Sequence, residues 1–236
     1  MPQLIGTRNE TSLHRDLKYY YSGQDGQIET EVAGFVTDGI SAAGEFIEVQ
    51  TGSFGRFKQK AKALAAQGRL RIVYPVIITK YIEVFDTEGN RLSRRKSNKK
   101  GTSWDIFNDL IYAPDLPLVS GIVMELALVD VVELRVRDGK GSWRRSGVSI
   151  QDRRMTALND RICLEKPSDY LRFLPFTGRE QFTSAMLGEK AGIRPELARK
   201  TLYSLTMLGV VRRIGKKGNA QVYRITIRKK KAKISR

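Results

Sequence analysis

Cysteine and histidine are almost absent from the sequence, which holds one of each, Cys163 and His14. A single cysteine excludes a disulfide framework and a cysteine-rich zinc site, and its apolar neighbours predict that Cys163 is buried. Long apolar runs are also absent, since a run such as IVYPVII is far too short to span a bilayer. No basic region followed by an apolar stretch begins at Met1. We therefore expect no secretory signal, no membrane partner and a soluble cytoplasmic protein.

Acidic residues are scarce in the second half of the chain. The 236 residues hold 42 Lys and Arg against 25 Asp and Glu, a net charge of +17. Residues 1–130 carry sixteen side chains of each sign, so the whole excess lies in residues 131–236. Hydrophobic residues make up 41% of the chain, enough for a core. The charge asymmetry indicates two domains, of which the second binds a polyanion.

The first half has the periodicity of an α/β domain. Leu13 and Leu17 have helical spacing, and Thr7 with Glu10 fits a capping box at the start of that helix. Segments that alternate and are rich in Ile, Val and Phe predict strands. The predicted order is a helix at 7–21, strands within 27–41 and 45–54, a helix at 54–68, a strand at 69–85, a basic loop at 93–101, a short helix at 104–112 and a strand at 121–139.

The last third has a different pattern. Two helices separated by a tight turn, FTSAMLGEKAG and IRPELARKTLYSLTMLG, precede two β-rich runs around GKKGN. Helix, turn, helix and basic hairpin are typical of a winged helix-turn-helix. The Gly- and Arg-rich stretch before it is typical of a linker. We therefore predict an α/β domain at 1–136, a basic connector at 137–164, and a smaller winged-helix domain with a basic tail at 165–236.

The stretch from Asp38 to Thr51, DGISAAGEFIEVQT, holds the best candidate for a chemical site. In a strand, Glu48 and Gln50 share one face while Ile47 and Val49 take the other. Asp38 lies one strand earlier and can be placed opposite Glu48. Two carboxylates on adjacent strands offer hard oxygen ligands to Mg²⁺ or Mn²⁺.

These residues resemble the PD-(D/E)xK nuclease superfamily. Asp38, then Glu48-x-Gln50 on a strand, then a helix bearing lysines, is similar to the variants in which Gln replaces the motif Lys. The resemblance covers about residues 8 to 84 and implies a restriction-endonuclease-like mixed sheet flanked by helices. The chain departs from the pattern at Thr37, where Pro is usual before the Asp, and at Gln50.

The resemblance also implies a role for each matching residue. Asp38, Glu48 and the Val49 carbonyl would hold the metal, and Glu10 would add a ligand or bind a metal-bound water. The ion lowers the pKa of a bound water and stabilises charge on the scissile phosphate. Gln50 would orient the attacking water through a hydrogen bond. Lysines of the following helix would contact phosphates: Lys58, Lys60 and Lys62.

Each of these residues has a simpler alternative. Asp38 precedes Gly39 and fits a turn, and Glu48 fits a solvent-facing strand position. Glu10 fits the capping box alone, and a single histidine such as His14 is more often a packing or capping residue than a ligand. The strip formed by Glu10, His14 and Lys18 on one helix face nevertheless fits the same cleft.

Basic residues in both halves are candidates for binding nucleic acid. On the second helix of the winged helix, polar side chains lie off the apolar stripe and fit a major groove: Arg194, Arg199, Lys200 and Tyr203. The hairpin would bind phosphates through its wing residues: Arg212, Arg213, Lys216 and Lys217. The loop at 93–101 would clamp a duplex through Arg94 and Arg95. Trp143 fits base stacking, although core packing is the commoner role. A winged helix used for protein contacts is the alternative.

The sequence thus predicts a metal-dependent DNA endonuclease that uses Mg²⁺ or Mn²⁺ and grips duplex or branched DNA with its C-terminal domain. A non-catalytic DNA-binding protein that keeps the nuclease-like scaffold is the main alternative, and Gln50 favours it. An RNA-processing nuclease has the same pattern of charge. A homodimer is compatible with the sequence.

Overall fold

The computed structural model describes residues 10–226. It has a mixed α/β structure in which a large mixed sheet is flanked by helices. The helices are α1 (Ser12–Ser22), α2 (Phe54–Gln67), α3 (Phe107–Leu110), α4 (Ser184–Ala191) and α5 (Pro195–Met207). The strands are β1 (Gln27–Val32), β2 (Phe35–Ile40), β3 (Phe46–Val49), β4 (Leu70–Phe85), β5 (Arg91–Lys96), β6 (Ile122–Arg137), β7 (Val148–Leu164), β8 (Val211–Lys217) and β9 (Ala220–Ile225). Short 3₁₀ helices occupy Ser103–Ile106, Leu116–Leu118, Trp143–Arg145 and Pro167–Phe173.

The large sheet has the order β1-β2-β3-β4-β6-β7, with β5 also paired to β4. The pairs β1–β2, β2–β3 and β4–β5 are antiparallel. The strands β8 and β9 form a separate antiparallel hairpin. The predicted order of elements from α1 to β4 is confirmed, as is the sequence α4, α5, β8, β9.

The chain divides into two compact units that are not continuous in sequence. Among the described residues, unit 1 comprises 10–51, 72–103 and 126–162, and unit 2 comprises 52–71, 104–125 and 163–226. The predicted boundaries at 136 and 165 therefore differ from the structure, because α2 and the segment 104–125 belong to the same unit as α4 and α5. Sequence order could not reveal this, since the chain passes between the units several times.

The predicted connector at 137–164 is wrong for most of its length. Residues 148–164 form β7, a 17-residue strand of the large sheet. Its charged positions misled the prediction because one face of the strand is solvent-exposed. Cys163 shows the same effect: Ile162 and Leu164 are buried, while Cys163 is exposed on the alternate face, so its predicted burial is wrong too.

The core of unit 1 forms between α1 and the large sheet. Leu13 and Leu17 of α1 pack with Ile47 and Val49 of β3, together with Val73, Ala127, Val129 and Val131. Both pairs lie where the helical and strand periods placed them, and the predicted core roles of Ile47 and Val49 are confirmed. Asp152 of β7 fixes the start of α1, since it accepts hydrogen bonds from the Ser12 amide at 2.9 Å and the Ser12 hydroxyl at 2.6 Å.

The core of unit 2 is rich in aromatic residues. Phe173 meets Phe107 edge to face at a centroid distance of 4.9 Å, and Trp104 at 5.9 Å. Phe182 stacks on Phe176 at 4.1 Å. The buried face of α2 holds Phe54, Phe57, Ala61 and Leu64, as predicted. Among the described residues, no helix is both long and apolar enough to cross a membrane.

Candidate functional site

Three neighbouring strands of unit 1 each contribute one carboxylate to the region beside α1. They are Glu29 on β1, Asp38 on β2 and Glu48 on β3. The β1–β2 register pairs Ile28 with Gly39 and Thr30 with Thr37, so Glu29 and Asp38 stand opposite each other. Glu48 is only 4% exposed, which contradicts the alternative that it is a solvent-facing strand residue.

Side chains link β2 and β3 where their backbone pairing stops. The two strands pair at Gly39 with Ile47 and at Ile40 with Phe46. Beyond this point the Asp38 amide donates to Glu48 Oε1 at 3.2 Å, and the Val49 amide donates to Asp38 Oδ2 at 2.8 Å. Each carboxylate thus accepts a hydrogen bond from the backbone of the other strand. This exchange brings Asp38 and Glu48 to one place.

The helix α1 adds a carboxylate and two cations to the same place. His14 Nε2 lies 3.0 Å from Asp38 Oδ2 and 3.8 Å from Glu10 Oε1. Lys18 Nζ lies 2.9 Å from Glu10 Oε1 and 2.8 Å from Glu29 Oε1. Of the strip expected from helical spacing, His14 therefore reaches Asp38, while Lys18 reaches Glu29.

The neighbouring carboxylates favour the charged forms of both His14 and Lys18. Burial of His14 lowers the pKa of its imidazole, but the hydrogen bond and charge of Asp38, helped by Glu10, outweigh burial and leave that pKa raised. Burial likewise disfavours the charged form of Lys18, whose side chain is 4% exposed, but the hydrogen bonds that it donates to Glu29 and Glu10 raise its pKa. The two cations partly balance the charge of the acids around them.

We call this group the carboxylate cluster; its members are Glu10, Glu29, Asp38, Glu48, His14 and Lys18. The cluster thus gathers four carboxylates, one imidazole and one amine in a half-buried place. Among residues 10–226, no group of three or more His, Cys, Asp or Glu side chains is arranged to hold a metal ion. The predicted set needs two carboxylates and the Val49 carbonyl, all of them hard oxygen donors that suit Mg²⁺ or Mn²⁺.

Two of the simpler alternatives are wrong. The side chain of Thr11, which accepts from the His14 amide, caps α1, so Glu10 is not the partner in a capping box there. Thr7, its predicted partner, lies outside the described residues. Asp38 lies inside β2 and not in a turn. The glycine after Asp38 is explained by packing and not by a turn, because a Cβ at Gly39 would lie 2.0 Å from Ser22 Oγ of α1.

Gln50 directly follows β3 at the edge of β4. Its backbone amide donates to the Val73 carbonyl at 2.8 Å, and the residue is half-buried. Val49, whose carbonyl is a predicted ligand, is 3% exposed. Both residues thus lie next to Glu48, as the motif requires.

Sequence reasoning missed Glu29 entirely. The residue looked like an ordinary member of an alternating strand, but its φ of 52° is left-handed, which is uncommon for a residue other than glycine. Such strain persists where the surroundings impose it, and it often marks a functional site. The local sequence QIETEV does not predict this role of Glu29, because the ion pair with Lys18 depends on the packing of α1.

The candidate basic residues of the first half lie on the strand β5 and on the helix α2. Arg94 and Arg95 lie on β5, not in a loop, and β5 pairs with β4 through Ile82–Arg95 and Glu83–Arg94. Arg94 also lies over the Tyr81 ring at 5.1 Å. Lys58 and Lys62 belong to unit 2, where Asp115 pairs with both, at 2.7 and 3.6 Å. Their predicted phosphate contacts would have to displace these ion pairs.

The polar face of α5 is only partly available. Arg194 and Arg199 are exposed, and Tyr203 is 40% exposed. Lys200 is not available, because its Nζ lies 2.8 Å from Glu196 Oε1 and donates to Asn108 Oδ1 at 3.1 Å. Its predicted role as a groove contact is therefore not supported by its position.

The β8–β9 hairpin carries an open cleft of about 550 Å³ with a strongly basic lining. Arg212 pairs directly with Arg224 across the hairpin. Among the ion pairs of the described residues, none includes Arg212, Arg213 or Lys216. Lys216 and Lys217, the predicted wing contacts, are exposed on β8. Two like charges placed opposite each other favour an anionic ligand.

Comparisons with known proteins identify a family and leave its activity open. A family model described as "Domain of unknown function (DUF8091)" matches residues 11–165. A relative from Treponema pallidum (strain Nichols), described as "Uncharacterized protein", is 32% identical over 151 residues, which is 64% of this chain. The match spans 60% of that relative's length. No solved structure matches the chain.

Proposed function

The chain belongs to the DUF8091 family, and from the carboxylate cluster we propose that it is a metal-dependent nuclease that hydrolyses phosphodiester bonds in DNA. The exchange of hydrogen bonds between Asp38 and Glu48 carries this proposal. It brings two carboxylates from adjacent strands together at the point where β2 and β3 stop pairing. Carboxylate oxygens held this close together are the hard donors that a divalent cation such as Mg²⁺ or Mn²⁺ prefers.

In this proposal Asp38, Glu48 and the Val49 carbonyl hold Mg²⁺ or Mn²⁺. The bound ion lowers the pKa of a water and stabilises the charge that develops on the scissile phosphate. Gln50 has no charge to lose or gain, so its amide positions the attacking water through a hydrogen bond. Glu10 is held by Lys18 at 2.9 Å, which keeps its carboxylate beside His14 and available to a metal-bound water.

A basic path that leads away from the cluster supports nucleic acid as the substrate. Along one edge of β4, the Val73 carbonyl accepts from Gln50, the Ile77 carbonyl from Gly101, and the Lys80 carbonyl from Ser97. The opposite edge of β4 is occupied by β6, and Lys80 Nζ of β4 lies 3.3 Å from Glu133 of β6. The strand β5, which also pairs with β4, therefore lies on the same edge as Gln50.

The length of this path suits a duplex. Gly101 bonds to β4 at Ile77, four residues beyond Val73, which is about 13 Å along the strand at 3.3 Å per residue. Arg95 pairs with Ile82, about 30 Å along the strand from Val73. Lys99 and Lys100 lie between these points, and both are exposed. A duplex that lies along this edge would present about one helical turn of phosphates to them.

Unit 2 would supply the second grip on the duplex. We propose that α4, α5 and the β8–β9 hairpin act as a winged helix, with Arg199 and Tyr203 at the groove. Lys216 and Lys217 on the hairpin would bind the backbone, where phosphate contacts need only charge and reach.

A non-catalytic DNA-binding protein is the second candidate, and one observation favours it. Asp38 Oδ2 already accepts from the Val49 amide and pairs with His14. If the only role of these bonds is structural, the carboxylates stabilise the scaffold. Replacement of the motif lysine by Gln50 then costs no activity, because the protein has none to lose.

Cleavage assays separate the two candidates. Plasmid, linear duplex, branched and single-stranded DNA, and an RNA of matched sequence, are incubated with the full chain in Mg²⁺, Mn²⁺ or EDTA. We expect metal-dependent cleavage of DNA. Asp38→Asn and Glu48→Gln should each slow it about 100-fold or more, as loss of metal stabilisation predicts. Gln50→Ala should slow it less.

The matched control is Glu31→Gln, an exposed acid on β1 two residues from Glu29. It should cleave as the unchanged protein does. Binding of DNA by Asp38→Asn should persist or tighten, since a negative charge near phosphate is removed. Binding without cleavage under all metal conditions would favour the non-catalytic protein, and cleavage of RNA alone would correct the substrate.

A further inference from the structure

The tip of the β6–β7 hairpin is closed by hydrogen bonds among its own residues. Asp138 accepts hydrogen bonds from the Lys140 amide at 3.0 Å and the Ser149 hydroxyl at 2.7 Å. Arg145 Nε donates to the Val148 carbonyl at 3.2 Å. At Gly141 a Cβ would lie 2.0 Å from the Val148 carbonyl oxygen, so only glycine fits there. These contacts join the two ends of the segment 138–149.

This tip carries the exposed side chain of Trp143. The side chain of Trp143 is 83% exposed, which contradicts the expectation that it packs in a core. Trp104, by contrast, donates its Nε1 proton to the Phe173 carbonyl and meets the Phe173 ring. An exposed indole can stack on a partner at little entropic cost, because few side-chain torsions need to be fixed.

The tip lies at the same end of the sheet as the basic β5 hairpin. Ion pairs join Arg71 of β4 to Glu125 of β6, and Lys80 of β4 to Glu133 of β6. The partners are 54 and 53 positions apart in the chain. Because this separation is nearly constant along the two strands, β4 and β6 run parallel. The strand β4 ends at Phe85, where the turn to β5 begins, and β6 ends at Arg137, where the tip begins. Arg137 and Lys140, which precede Trp143 by six and three positions in the chain, are exposed.

We propose that Trp143 stacks on an unpaired base of the nucleic acid. This inference rests on the proposed function and narrows its substrate to DNA that carries single-stranded bases, such as a branch or a frayed end. Arg137 and Lys140 bind the adjoining phosphates, while the ring takes a base of any sequence, since every base has a π-face.

Binding without cleavage tests the stacking separately from the nuclease activity. In EDTA, the full chain is titrated with a thymidine 12-mer, with an abasic 12-mer of equal charge, and with a blunt duplex. Tryptophan fluorescence should be quenched by the thymidine strand and hardly at all by the abasic strand, and Trp143→Ala, which keeps only Trp104, should show no quenching. Trp143→Ala should weaken binding of the thymidine strand about 5- to 150-fold, the loss that one stacked base predicts, and should leave the abasic strand unaffected.

Trp143→Phe and Tyr112→Ala are the companion variants. Phenylalanine keeps a stacking ring, so its affinity should lie between those of the alanine variant and the unchanged protein. Tyr112, 63% exposed in unit 2, controls for loss of an exposed aromatic ring and should change nothing. Equal binding of both strands by Trp143→Ala and the unchanged protein would overturn the proposal. So would no binding at all, or a fluorescence response to anionic lipid vesicles and not to oligonucleotide. None of these results depends on whether the cluster cleaves DNA.

Discussion

At the residue scale, Glu133 has the strongest electrostatic role outside the carboxylate cluster. Its side chain is 1% exposed and pairs with Lys80, Arg135 and Arg153. Burial opposes the charged form, but hydrogen bonds from Arg135 and Arg153 and the charge of Lys80 outweigh it and lower the pKa of Glu133 to about 2. A carboxylate with so low a pKa stabilises the fold fully at any pH at which it is ionised in both the folded and the unfolded protein.

Glu133→Gln should lower the free energy of unfolding at pH 7 by about 3 kcal/mol, since each unit of pKa shift corresponds to about 1.4 kcal/mol. The pKa is depressed in the folded state, so the stabilisation is complete above the ordinary pKa of 4.5 and disappears as the pH falls towards 2. Urea unfolding of both proteins across this range checks the prediction. A difference that stays constant from pH 7 to pH 3 would contradict it. Glu31→Gln serves as the exposed control.

Particular residues show what could and could not be predicted from the sequence. The alternation of FIEVQ correctly placed Ile47 and Val49 in the core and set Glu48 and Gln50 apart from them. The position of Trp143 could not be derived, because the exposure of a hairpin tip depends on contacts between Asp138, Ser149 and Val148. Glu29 was missed for the same reason: its partner, Lys18, reaches it only after α1 has packed.

At the element scale, the position of α1 on β2 determines the geometry of the carboxylate cluster. The close approach of Gly39 to Ser22 allows α1 to sit near enough for His14 to reach Asp38. Ser22 is 1% exposed, and its hydroxyl has no hydrogen-bond partner among the described residues.

Gly39→Ala should destabilise the protein by about 1–3 kcal/mol, the usual cost of adding atoms to a packed contact. Ser22→Ala alone should be nearly neutral, because the hydroxyl that it removes makes no bond. The double variant should recover part of the loss, since the added methyl then meets no oxygen at 2.0 Å. Thermal unfolding of the four proteins measures this coupling. Additive effects would show that Ser22 is not what excludes a side chain at position 39.

The long and strongly periodic elements were predictable, whereas β5 and β7 were not. Their sequences, RLSRRK and VSIQDRRMTALNDRICL, are rich in charge, and charge on an exposed strand face looks the same as charge in a loop. Both strands exist because β4 and β6 provide long edges for them to pair with, which is non-local information.

At the scale of the whole molecule, the last third cannot be treated as a separate module. The pattern in 165–236 suggested a domain that is complete by itself. In unit 2, however, Phe173 packs on Phe107 and Trp104, and Lys200 bonds with Asn108, so residues 104–110 complete its core. Experiments on DNA binding therefore need the full chain.

Salt dependence should show that both units bind the duplex. The logarithm of affinity should fall with the logarithm of salt by about 0.9 for each phosphate contact. Charge reversal of Arg94 with Arg95, or of Lys216 with Lys217, should weaken binding to all sequences and flatten that slope by about 2. Fluorescence anisotropy with a 20-base-pair duplex provides the data. If only the second pair alters the slope, β5 is not part of the binding surface.

Metal binding by the carboxylate cluster can be measured before any substrate is known. Mn²⁺ is titrated into the full chain, and free Mn²⁺ is followed by electron paramagnetic resonance. We predict a site that is filled in the unchanged protein and in Glu31→Gln, and lost in Asp38→Asn and Glu48→Gln while these variants keep their fold. Equal Mn²⁺ binding by all four proteins, or none by any, would contradict the assignment of the carboxylate cluster as a metal site and with it the proposed nuclease.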